Sequence, residues 1–264
     1  IALESLIYNV WNLLLLPTEL SLLPRVVCFT FLVFSYTMDL AAPIVKYNSQ
    51  TVGRDKLCRT VQYTAKLVGY ILQKHGASAD TVKLIKTLEV HISTSRKLFR
   101  IGKYLDMLQG AFRNLTVKDT ALRLLVVSAR LTRVIYFLVD QIVWATRLGL
   151  YKSDPKAWSK FQAKIWSIAL ILCVTRNMYD IYNLINSADK KNEDPGTHTV
   201  CWYEKFKTRP EVLVDTVKNC ADFLIPLNII GVIQINNGIV GILGLISSLS
   251  GASTVWEPTL KLKP

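Results

Sequence analysis

From Arg54 to Lys74 the apolar positions Leu57, Val61, Ala65, Val68 and Leu72 recur at helical spacing, flanked by Arg54, Lys56, Arg59 and Lys66. That period predicts an amphipathic helix. His75-Gly76-Ala77-Ser78 closes it and offers Ser78 as the N-cap of the next. A second helix is predicted over Ser78–Leu105, its residues stepping about 100° around the axis. Leu84, Ile85, Leu88, Ile92, Leu98, Phe99 and Leu105 share one broad arc, and Lys83, Lys86, Arg96, Lys97 and Arg100 fall largely opposite, with Lys103 at the boundary. Such a helix either packs its oily face on a core or lies in a membrane interface. In the second case its six cations each gain about 1 kcal/mol beside an anionic leaflet. The pattern alone leaves both open.

Thr116–Tyr151 predicts a third, long helix, on which Arg123, Arg130, Arg133, Asp140 and Arg147 form one stripe. A lone spanning helix would not carry five charges through hydrocarbon, so this helix is expected buried or half-sunk in the interface. Lys160–Ile185 predicts a fourth, with Arg176 and Asp180 placed for an i,i+4 pair. Ser187–Pro210 reads as a polar loop. No charge appears from Phe223 to Trp256. Pro226, Gly231 and Asn236-Asn237 interrupt the first part of that run, so the membrane span is placed at Gly238–Trp256, near the ~20 residues a bilayer core requires. Gly241, Gly244, Ser248 and Gly251 form a small-residue stripe on it, a face suited to self-association. Lys261 and Lys263 favour a cytosolic C-terminus.

Composition sharpens this picture. The chain is 51% hydrophobic, yet its net charge is +13. Residues 39–104 hold 12 Lys/Arg against 4 Asp/Glu, which places most of the basic excess on the two amphipathic helices. Apolar faces with basic flanks suit an anionic phospholipid membrane. Nucleic acid would also accept the charge, but no zinc-ligand spacing or RNA-binding signature accompanies it. The five cysteines are scattered without a CxxC pair, which argues against a disulfide framework or zinc site. His91 lies beside the oily arc and reads as a packed side chain. There is no nucleophile elbow, P-loop, HExxH or dinucleotide fingerprint, so no catalytic, cofactor-binding or metal-binding residue is nominated. Asp140 is expected to balance neighbouring arginines. Residues 1–37 carry only Glu4, Glu19 and Arg25 as charges and read as an upstream extension or gene-model artefact, an anchor being the alternative.

The domain plan is therefore 1–37 as extension, 38–186 as amphipathic helical region, 187–210 as loop and 211–264 as membrane region. The fold class is all-α, a helical membrane protein with a C-terminal transmembrane helix. Several stretches resemble the animal forms of the peroxin-eleven family, from Met38 to the C-terminus. They include Gly53-Arg54-Asp55-Lys56-Leu57-Cys58-Arg59, Ser95-Arg96-Lys97-Leu98-Phe99-Arg100, Leu131-Thr132-Arg133-Val134-Ile135-Tyr136-Phe137, Asp215-Thr216-Val217-Lys218-Asn219 and Gly238-Ile239-Val240-Gly241. The resemblance implies a non-enzymatic peroxisomal membrane protein that elongates peroxisomes and promotes their fission, self-associates, and works with a tail-anchored fission adaptor and a dynamin-type GTPase. The family's membrane-bending helix falls on Ser78–Leu105. The membrane-binding set is then Lys83, Leu84, Lys86, Leu88, Ile92, Arg96, Lys97, Leu98, Phe99, Arg100 and Lys103. A different class, a metabolite pore lined by the arginine stripe, is the alternative.

Overall fold

Helices account for the secondary structure throughout the described residues, 41–189 and 206–263 of a computed structural model, and no strand occurs among them. The expectations for residues 1–37 lie outside this set, as does most of the predicted polar loop. Residues 41–49 are helical and group with a first unit, Ile1–Gln50; a second unit begins at Thr51 and is the one described below.

The second unit contains α1 (Thr51–Lys74), α2 (Ala79–Leu98), α3 (Lys103–Arg113), α4 (Thr120–Arg147), α5 (Pro155–Asp189), α6 (Pro210–Ile230) and α7 (Asn237–Trp256). Local chemistry sets their ends. The Ser78 hydroxyl accepts a bond from the Thr81 amide at 3.3 Å, capping α2 as its sequence predicts. The Asp119 carboxylate accepts from the Ala121 and Leu122 amides, at 2.9 and 3.2 Å, and from the Tyr179 hydroxyl at 2.6 Å. The Tyr179 hydroxyl and these amides hold its pKa below the ordinary value. Asn236 caps α7 through the Ile239 amide at 2.8 Å.

One predicted helix becomes two. Gly102 sits at φ +78°, a left-handed conformation that an α-helix cannot contain, so Ser78–Leu105 breaks after Leu98 and restarts at Lys103. The fourth predicted helix is longer than its apolar pattern, running from Pro155 to Asp189. It carries the expected Arg176–Asp180 pair at 3.4 Å.

The helices pack as a ring. α1 lies between α2 and α7; α7 touches α6, α6 touches α5, α5 touches α4, and α4 returns to α2. α3 braces against α4. The α1–α7 contact is antiparallel: Gly238 meets Tyr70, Gly241 meets Leu67, Gly244 meets Tyr63 and Gly251 meets Lys56. A Cβ added at Gly241 would stand 2.9 Å from the Leu67 Cβ, so the two backbones approach as only small residues permit. Ser248 is also fully buried. The stripe Gly241, Gly244, Ser248 and Gly251, read from sequence as a self-association face, is thus covered by α1 of the same chain.

Beside apolar core residues such as Val143, Ile165 and Val212, the interior holds many polar and charged side chains. Inward positions carry Asp55, Arg59 and Gln62 on α1, Asp140 on α4, Gln162 and Ser167 on α5, and Asn219 and Asp222 on α6. Outward positions carry Leu57 and Val61, Leu131, Ile135 and Leu138, Ile168 and Ile171, and Leu213 and Leu224 on the same four helices. Buried charges and exposed large apolar side chains on the same helices suit a bundle that meets a membrane. α7 is the one helix among the described residues long and apolar enough to cross a membrane by itself.

Candidate functional site

The stretch read as the membrane element divides at its middle. In its first half Lys83 and Lys86 are exposed, and Leu84 (67% exposed) and Leu88 (44%) present an oily surface beside them. Lys86 donates to the Gln73 side chain at 3.0 Å. Ile85 packs on Gly69 of α1, and Ile92 is half-buried. In the second half Leu98 is exposed, as are Ile101 and Leu105 beyond it. Phe99 is half-buried under the Arg54 guanidinium, 6.0 Å from its ring centre.

The cations of the second half turn inward. Arg96 and Lys97 are buried, at 8% and 5% exposure, and do not face headgroups as the helical pattern predicts. Arg96 donates to the Asp55 carboxylate of α1 at 3.0 Å and to the Gln62 side-chain Oε1 at 2.7 Å. Lys97 pairs with Asp140 of α4 and donates to Gln162 of α5 at 3.3 Å. Arg100 reaches both carboxylates, Asp140 at 3.5 Å and Asp55 at 3.8 Å, and donates to the Tyr136 hydroxyl at 3.3 Å. Lys103 lies over the Phe137 ring at 5.5 Å. On the far side of the ring, Arg59 of α1 pairs with Asp222 of α6. The physical reason is that Asp55, Asp140 and Asp222 already face the axis. A carboxylate there is tolerable only with a partner; for Asp55 and Asp140 the cations at the end of α2 and just beyond it serve, and for Asp222 Arg59 of α1 does. Asp140 balances cations as expected, with Arg100 and Lys97 as its partners.

These side chains border an axial chamber of about 510 Å³, lined from α1 through α6 and by Lys261 beyond α7. Ten lysine and arginine side chains line it against two carboxylates, Asp55 and Asp222. The arginine stripe of α4 does not enter as a unit. Arg133 and Arg147 line the chamber, whereas Arg130 lies against Gly110 of α3 and Arg123 bonds Thr120 at 3.4 Å. Sequence reasoning missed Asp55, Gln62, Gln162 and Asp222. Their signal was acids and amides set at inward positions of otherwise apolar or basic helices.

Comparison with known proteins now fits this geometry. The family described as Peroxisomal biogenesis factor 11 (PEX11) matches residues 41–256. Peroxisomal membrane protein 11A of Mus musculus is 34% identical over 240 residues, covering 83% of this chain and 98% of its own length. Peroxisomal membrane protein 11B of Homo sapiens is 31% identical over 255 residues, with the same coverage of each. The Peroxisomal membrane protein 11 homolog of Dictyostelium discoideum is 26% identical, covering 81% of this chain and 93% of its own. No solved structure matches. A basic, helical chain with one helix fit to span a membrane, matched over 83% of its length by such relatives, belongs to the PEX11 family and is a protein of the peroxisomal membrane.

Proposed function

We propose that this protein remodels the peroxisomal membrane, elongating peroxisomes and promoting their fission, without catalysis, by seating the outer surface of α2 in one leaflet. The observation that carries the reading is the exposed row Leu84, Leu88 and Leu98, with Lys83 and Lys86 beside it at the surface. Burying a leucine in hydrocarbon gains roughly 1.5–3 kcal/mol, and each surface lysine adds about 1 kcal/mol against an anionic leaflet. Area added to one leaflet alone favours curvature. This differs from a free basic wedge, because Arg96, Lys97 and Arg100 hold the helix to its bundle. Self-association, a fission adaptor and a dynamin-type GTPase belong to the proposal through the family resemblance. With the glycine stripe under α1, self-association falls to the outer side of α7, at Ile242, Ile246 and Leu249.

The full chain reconstituted into vesicles containing anionic phospholipid tests this. Leu84→Asp with Leu88→Asp should leave the circular dichroism spectrum unchanged and abolish tubulation; tubulation at the original level would sink the reading. A second reading, a metabolite pore, is favoured by the axial chamber with Arg133 and Arg147 on its wall. Its test is planar-bilayer conductance that changes with Arg133→Ala but not with Arg130→Ala.

A further inference from the structure

The chamber holds more positive charge than its own carboxylates can neutralise. Asp140 and Asp215 also pair with lining lysines, Lys97 and Lys218, so four carboxylates serve ten cations. Among the described residues, Lys56, Lys103 and Arg133 have no carboxylate within ion-pair distance; Arg133 donates only to the Cys173 thiol, at 3.0 Å, and Lys103 rests on Phe137. They come from three helices and line one space, the Lys56 ammonium lying at its α7 side beside Gly251. Unpaired cations held together in a low-dielectric bundle repel one another and cost several kcal/mol each in lost hydration. A fold built only for strength would replace them with apolar side chains of similar volume.

We infer that the axial chamber is a binding site for a phosphate-bearing anion, held by Lys56, Lys103 and Arg133. Guanidinium forks match phosphate oxygens two at a time, and a multiply charged phosphate neutralises several cations that a halide cannot bridge. The volume, about 510 Å³, lies in the range of small-molecule sites and exceeds what one phosphate group fills. Trp166 and Leu170 of α5 and Met107 of α3, also in the lining, give the rest of the molecule an apolar surface. The phosphate can come from a phospholipid headgroup entering between helices or from a soluble organic phosphate. This site stands on the chamber alone and does not depend on leaflet insertion by α2.

The test uses the purified full chain in neutral detergent, with thermal unfolding as readout. Sodium pyrophosphate probes the soluble source, and dioleoyl phosphatidic acid in phosphatidylcholine nanodiscs probes the headgroup. Sodium chloride at matched ionic strength is the control. One of the two phosphates should raise the unfolding temperature by several degrees where chloride does not, and which one does identifies the source. Lys56→Gln with Arg133→Gln should unfold at the same or higher temperature without ligand, since it removes repulsion, and should bind about tenfold or more weakly per lost charge-assisted bond. Lys103→Gln, on a different helix, repeats the comparison in case the double variant does not fold. The inference is overturned if neither phosphate shifts unfolding, if chloride shifts it equally, or if these variants keep the full shift. Tubulation by α2 is unaffected by any of these outcomes, so the two readings fail separately.

Discussion

Two halves of one basic stretch meet opposite fates. Lys83 and Lys86 stay at the surface, while Arg96, Lys97 and Arg100 are drawn into ion pairs with Asp55 and Asp140. Both halves have the same helical pattern and the same kind of cation. What separates them is the company across the bundle: opposite the second half stand buried carboxylates on α1 and α4, and opposite the first half α1 offers Gln73 to Lys86 and Lys66 to Glu89, at 3.0 and 2.7 Å. An amphipathic pattern therefore identifies two faces without saying which one points inward. In a bundle facing lipid, the polar face is the inner one.

The largest effect that would break this comparison is at Asp140. Asp140→Ala strands Lys97 and Arg100 without their shared partner, and loss of one member of a buried pair costs about 3–5 kcal/mol. Urea unfolding in detergent should show that loss; a cost near zero would mean that the second half is not anchored as described. Next is the α1–α7 contact. Gly244→Leu drives a side chain into Tyr63 and should cost about 1–3 kcal/mol by overpacking, whereas Leu249→Ala on the outer side of α7 should cost little in detergent. The smallest effect sharpens the first half. Lys83→Gln with Lys86→Gln should leave unfolding unchanged and weaken binding to anionic vesicles by about 1 kcal/mol per lysine, with the difference fading in high salt.

Much of this was legible from local pattern. The span was placed within one residue of its start, Ser78 was found as a cap, and Arg176–Asp180 was found as a pair, because each depends on neighbours a few positions away. The break at Gly102 had a visible signal, a glycine between two helical stretches, which the apolar period of Ser78–Leu105 overrode. The inward turn of Arg96 and Lys97 had none that is local. Their partners lie 41 and 43 positions away, on other helices, and the Arg59–Asp222 link spans 163. The small-residue stripe was read correctly as a close-packing surface, but its chemistry fits any helix backbone, and the partner turned out to be in the same chain.

That pairing also orders the protein's biosynthesis. α1 is the first of the ring's helices to leave the ribosome, and α7, which covers its length, is the last. Until Asn237–Trp256 is made, Tyr63, Leu67 and Tyr70 lack the helix they close against, and the ring has a gap between α1 and α6. Contacts this distant in sequence form late and leave their surfaces open to other binders meanwhile. Ring closure accordingly waits on the synthesis of α7, and until then that seam of α1 stays uncovered.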